Sequence, residues 1–207
     1  VPVPLQQLSM VNTSLYQTNI KFSAGGEYLL LPINGDWGKK YGVANKNLAG
    51  LSDGGNFGFN TAANDFNDNF PGPATAGIYK LEVDFITGTF IVEPVTPALQ
   101  VPDSIYITGS ATPGGWVNNP PANQKFTKVN ATKFELVLNF NAAGEYSLLP
   151  AYGSWDSKYA LDKTNTYDNW SGKLLYNNGD NIPGPKDAGM YKLTVDFETG
   201  KYTLLKL

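Results

Sequence analysis

The chain contains no cysteine, no histidine and no arginine. Without cysteine there is no disulfide framework, no thiolate zinc site and no cysteine nucleophile. Without histidine the usual general base and metal ligand are missing, and so is any Ser-His-Asp triad. All fifteen basic residues are lysine, so no guanidinium fork exists to grip phosphate or carboxylate in two places. The net charge is −3, which argues against nucleic acid, whose binding needs a positive field. No apolar run approaches the length of a membrane span, and the opening VPVPLQQL reads as an interior segment rather than a signal peptide.

Aromatic residues, glycine, proline and asparagine are abundant. With 42% apolar residues, four Trp, twelve Tyr and eleven Phe, the 207-residue chain can build a packed core. Glycine and proline cut it into short segments, the composition of an all-β protein. Residues 21–43 fall on 139–161 with 12 of 23 positions identical, and 71–92 fall on 183–204 with 13 of 22 identical. This is a duplication, and it predicts two domains, 1–97 and 101–207, joined by the proline-bearing segment 94–104. The second copy opens with 103–120 before Gln124 meets Gln6, so the first copy is expected to lack a first strand that lies upstream.

Strands are legible by period. Phe134, Leu136, Leu138 and Phe140 alternate with polar or outward residues, as do Tyr191, Leu193, Val195 and Phe197. GEY (144–146) and ETGK (198–201) are expected to be hairpin turns. No useful window shows a 3.6-residue period. Short antiparallel strands with frequent turns predict a β-sandwich for each copy, with a barrel as the alternative.

The acids shared by both copies are Glu27/Glu145, Asp68/Asp180 and Asp84/Asp196. Two carboxylates are what glycoside hydrolysis needs, but these read as solvated surface acids. The NDFNDN segment (64–69) spaces oxygens like a calcium loop, yet lacks the glycine and distal glutamate of an EF-hand. It reads as a turn, and neither a metal nor a cofactor is expected. The tryptophans stand out. Trp37 lies in GDWGKKY, Trp155 in GSWDSKY, Trp116 in ATPGGW and Trp170 in TYDNWSG. An indole in a polar loop is a platform for the C–H face of a sugar ring, and Lys40/Lys158 with Asn69/Asn181 could serve the hydroxyls. The alternative is that Trp37 and Trp155 cap one end of a sandwich by packing.

Taken together, G-S-A-T-P-G-G-W, the G-E-Y turn, W-x-x-K-Y, G-D-N-I-P-G-P and A-G-M-Y-K-L-T-V-D-F-E-T-G resemble the tandem C-terminal modules of SusE/SusF-like proteins. The resemblance covers 101–207 and 5–95. It implies two tandem immunoglobulin-like antiparallel β-sandwiches without catalytic activity. It also implies a monomeric, lipid-anchored outer-membrane protein that holds starch, malto-oligosaccharide or a related neutral glycan at the cell surface beside a transporter. The anchor would lie N-terminal to this chain. By position it implies an aromatic arc of Trp116 and Trp155, with Tyr159 closing the W-x-x-K-Y loop and an asparagine at Asn181 or Asn177. The family's basic residue falls on Ser147, and on Leu29 in the first copy, so Lys158 or Lys186 would have to substitute. In the first copy Trp37, Lys40 and Asn69 match, with Tyr41 or Phe57 available in place of a Trp116 partner. A different neutral polysaccharide, a hydrolase accessory or catalytic domain, or a structural spacer are the competing expectations.

Overall fold

A computed structural model describes residues 6–61 and 65–207; Asn64, the first residue of NDFNDN, and the first five residues of the expected first domain lie outside them. The fold is all-β and antiparallel. Among the described residues no helix is long and apolar enough to cross a membrane. Two compact units divide the chain, Val1–Thr96 and Pro97–Leu207.

The first unit contains β1 (Ser9–Met10), β2 (Leu15–Phe22), β3 (Glu27–Tyr28), β4 (Tyr41–Gly42), β5 (Gly54–Asn56), β6 (Gly58–Phe59), β7 (Phe70–Pro71), β8 (Gly77–Asp84) and β9 (Thr89–Pro94). Its main sheet has the order β1-β2-β8-β9-β5, while β3 pairs with β7 and β4 with β6. Leu81, Val83, Phe90 and Val92 from this sheet meet Leu30, Val43, Phe57 and Phe70 in the core.

The second unit contains β10 (Tyr106–Thr108), β11 (Thr127–Lys128), β12 (Lys133–Phe140), β13 (Glu145–Leu149), β14 (Tyr159–Leu161), β15 (Ser171–Tyr176), β16 (Ile182–Pro183), β17 (Gly189–Asp196) and β18 (Lys201–Lys206). One hydrogen-bonded path runs β10-β13-β14-β15-β18-β17-β12-β11, with β16 on β13. β15 joins the two halves: Ser171–Lys173 pair with β18 and Leu174–Tyr176 with β14. The alternate residues Phe134, Leu136, Leu138 and Phe140 are buried, against Ile105, Ile107, Leu148, Tyr159 and Leu161 of the other half. The period-2 pattern therefore selects the core face, as expected for strands with one buried side.

Two expectations change. ETGK does close the β17–β18 hairpin, but GEY does not close one. Gly144 has φ 73°, yet β12 already pairs with β11 and β17 on its two edges, so β13 must cross to pair with β10, β14 and β16. The segment is an arch between sheet halves. The linker also differs: Ala98 and Leu99 N–H groups donate to Glu198 and Phe197 carbonyls, and Leu99 and Val101 pack on the second core. Its latter part is thus an element of the second unit.

The duplicated positions are not equally buried. Tyr146, Tyr159 and Tyr191 are fully buried, whereas their counterparts Tyr28, Tyr41 and Tyr79 are half-buried. In the second unit Ile105, just before β10, and Ile107 within it are fully buried in the core. Leu148 is 0% exposed and its counterpart Leu30 is 8% exposed. Leu148→Ala should cost about 2–5 kcal/mol, and Leu30→Ala less, because a partly open site collapses or hydrates more easily. Urea unfolding followed by hydrogen exchange in each unit measures both; an equal or reversed order refutes the unequal-core account.

Candidate functional site

The two W-x-x-K-Y loops share a turn. Asp36 Oδ1 accepts from Gly38 N–H at 3.0 Å, and Ser154 Oγ accepts from Asp156 N–H at 3.0 Å. In each case the residue before the tryptophan binds the residue after it, a local side-chain turn. The glycine before that has φ 85° at Gly35 and 81° at Gly153. A Cβ at either would meet nothing within 4 Å, so it is the left-handed backbone that calls for glycine. The indole is left at the apex, 65% exposed at Trp37 and 52% at Trp155. The expectation that these rings pack as caps does not describe them.

Trp116 is held differently. β10 ends at Thr108, whose buried hydroxyl accepts from Val117 N–H at 2.9 Å and lies 2.7 Å from Val117 O and 3.1 Å from Gly115 O. One side chain thereby ties down both neighbours of Trp116. Gln124, fully buried, accepts from Gly114 N–H and donates to Ile107 O and Thr112 Oγ1. Trp116 itself is 44% exposed. Its loop is joined to the Trp155 loop by two hydrogen bonds: Gly153 N–H donates to Asn118 O at 2.7 Å, and Asn118 Nδ2 donates to Gly153 O at 2.9 Å. Each tryptophan is two residues from this junction, so their backbones are no more than about 20 Å apart.

Other expected site residues fare variously. Tyr159 is a correction: it is 1% exposed and its hydroxyl donates to Gln100 O at 2.6 Å, so it has no face to offer a ligand. Asn177 has φ 59° and its Oδ1 accepts from Lys158 N–H at 2.8 Å; it shapes the turn that carries Lys158. Asn181 accepts from Ser147 Oγ and donates to Glu145 Oε2, both at 3.0 Å. Ser147, where the resemblance implies a basic residue, is buried beside Thr108, its cross-strand partner. Lys186 follows β16, beside the Gly144 end of β13, whereas the Trp155 loop leaves the Leu149 end. The five residues of β13 put about 16 Å between those ends. Lys186 thus leaves the backbone at the opposite end of β13 from the start of the Trp155 loop.

In the first unit Lys40 Nζ donates to Asn67 O at 3.2 Å, and Asn69 Nδ2 donates to Glu27 Oε2 at 2.7 Å. Tyr41 stacks edge-on against Phe57, Phe59 and Phe85, and Phe57 is buried. Neither stands in for Trp116. Trp170 is held by Asp168, which accepts from Trp170 and Ser171 N–H groups, with its ring 6.0 Å from Tyr191.

The shared acids have structural partners. Glu27 and Glu145 each bind an asparagine, and Glu27 also binds Lys46 at 2.6 Å. Asp84 and Asp196 accept from the N–H groups of Ile86 and Glu198 in their hairpin turns. Asp68 accepts from Lys46 N–H, and Asp180 pairs with Lys163. The Glu–Asn pairing was readable in principle, since both members recur at their own repeat offset. Also missed were Tyr106 and Tyr152, whose rings lie 5.5 Å apart; only the fold brings them together.

Thr108→Val keeps the shape but strands Val117 N–H, and should cost about 1–3 kcal/mol. Faster hydrogen exchange at Gly114–Val117 is the expected signature, and unchanged exchange there would contradict the anchoring role. The Glu27 carboxyl is held below its usual 4.5 by the Lys46 hydrogen bond first and then by Asn69. A lowered folded-state pKa stabilises above the unfolded value and is lost as pH falls through the folded one. The first unit should therefore weaken below about pH 4.5, and less so with Lys46→Met, as read from acid titration of its exchange rates.

No curated protein matches the chain in sequence. Among solved structures it is similar to SusF from Bacteroides thetaiotaomicron, with 19% identity and a TM-score of 0.36 over 98% of this chain. The chain spans 45% of the length of that structure. Residues 103–206, from the approach to β10 to the last residue of β18, match a family described as a domain of unknown function, DUF8037. The chain belongs to the DUF8037 family.

Proposed function

We propose that the chain binds a neutral glycan without breaking it, and that its two units are tandem immunoglobulin-like sandwiches, each presenting indole faces to sugar rings. The observation that carries this reading is the deliberate exposure of Trp37, Trp116 and Trp155 at the tips of locked turns. An apolar ring held in water by hydrogen bonds behind it has the amphipathic, preorganised character that sugar stacking needs. Lys158 and the edge of the Asn181 network would serve the hydroxyls.

The choice of starch or malto-oligosaccharide rests on the SusE/SusF-like motifs, as does the setting: a lipid-anchored protein on the outer membrane, beside a glycan transporter. Each site on its own should be weak. Two on one chain raise the effective concentration for a polymer.

The second unit should hold the fuller site, because the Asn118–Gly153 junction joins its Trp116 and Trp155 loops, whereas in the first unit Tyr41 and Phe57 pack against other aromatic rings. Trp155→Ala should weaken binding to soluble starch about tenfold or more, Trp116→Ala similarly, and Trp37→Ala less. Affinity electrophoresis across a glycan panel measures all three. Raising salt from about 0.05 to 0.5 M should change binding little, since the ligand is uncharged. Retention by no glycan, or new reducing ends on incubation with starch, would overturn the proposal.

A further inference from the structure

The loop after β13 exposes a second aromatic ring besides Trp155. Tyr152 is 60% exposed, and the residue that follows it is Gly153, which bonds to Asn118 through both its N–H and its carbonyl. The ring therefore leaves the backbone from the same fixed junction that joins the Trp116 and Trp155 loops. It does not stand alone. Its centroid is 5.5 Å from that of Tyr106, with the planes tilted by 57°.

Tyr106 faces outward because its neighbours Ile105 and Ile107 are fully buried. Lys125 is bridged to Tyr106 by strand pairing and holds its Nζ 5.7 Å from the Tyr106 centroid. Tyr152, Tyr106 and Lys125 thus form a graded surface: an exposed ring, a ring that backs it at a tilted-contact distance, and a cation over the second ring. Its chemistry is that of the tryptophan platform plus an ammonium donor, the basic group that Ser147 does not supply.

The repeat comparison sharpens this. Tyr152 aligns with Asn34 and Lys125 with Gln7, and Tyr106 has no aligned residue. Tyr152 and Lys125 are therefore particular to the second copy, whereas the Trp-bearing turn is common to both. A structural need of the turn itself would have kept an aromatic at position 34.

We infer that Tyr152, backed by Tyr106 and flanked by Lys125, is a further sugar-stacking subsite beside Trp155, so that the second unit grips a longer stretch of glycan than its two tryptophans cover. This rests on the glycan-binding reading above. The subsite extends the site toward the β10 edge, and it acts only on chains long enough to reach it.

Calorimetry on the full chain with maltotriose and maltoheptaose tests it. Tyr152→Ala should weaken maltoheptaose about three- to tenfold and leave maltotriose within about twofold, while Tyr152→Phe stays near wild type. Tyr152 is mostly in water, so thermal unfolding should be unchanged and serves as the control for folding. If wild type binds and Tyr152→Ala binds both sugars equally well, the subsite is refuted and the binding function stands. If Tyr152→Ala weakens both sugars alike, Tyr152 belongs to the main contact, and the length-extending role is refuted. If wild type binds neither sugar, the α-glucan reading fails, and the subsite fails with it.

Discussion

The pair of hydrogen bonds between Asn118 and Gly153 is the constraint on which the second unit's surface depends. Trp116 and Trp155 come from loops 39 positions apart in sequence, and neither is fixed relative to the other by its own turn. The junction ties one loop to the other, and the anchors behind it are buried. Thr108 and Gln124 are 0% exposed and hold the Trp116 loop from below. Buried, satisfied polar groups of this kind rigidify because an unmade bond there costs the full desolvation of the orphaned group. The exposed rings are thus rigid for reasons that lie underneath them.

Duplication separates what is local from what is not. The turn that exposes Trp37 and Trp155 needs only a left-handed glycine and a short polar side chain before the tryptophan, so it works in both copies. The Glu27–Asn69 and Glu145–Asn181 pairs also recur. In the second unit β10 and the residue before it supply the inward Ile105 and Ile107, the Thr108 anchor, and Tyr106. Gln6 aligns with Gln124 yet is exposed, whereas Gln124 is buried against the Trp116 loop.

Much of this was readable in the sequence, and the misses have a common cause. Alternation in β12 and β17 identified the core face correctly, because burial on one side of a strand imposes period 2 whatever the partner. The glycine at 144 marked a left-handed residue, but not which strand comes next to which. Whether β12 and β13 pair depends on edges already taken by β11 and β17, and this is invisible locally. The site divides the same way. The polar neighbours of Trp37 and Trp155 marked loops, and the loops do expose them. Tyr159 lies four residues beyond Trp155, but strand β14 has begun by then and turns it inward onto Phe197. Asn177 and Asn181 read as sugar ligands by type; the fold gives the first to a turn and the second to Glu145 and Ser147.

The exposure of the tryptophans carries an energetic argument of its own. A buried indole would gain about 25 cal/mol for each Å² removed from water, and the first unit has half-buried aromatic residues among which a ring could be sheltered. Trp37 is instead held outward on the turn of Asp36 and Gly35, in the unit whose aligned tyrosines are less buried. A turn that forgoes burial twice, on two backgrounds of different packing, is not explained by the needs of either core. The proposed stacking on a sugar ring is a requirement of another kind, met on the solvent side of the ring.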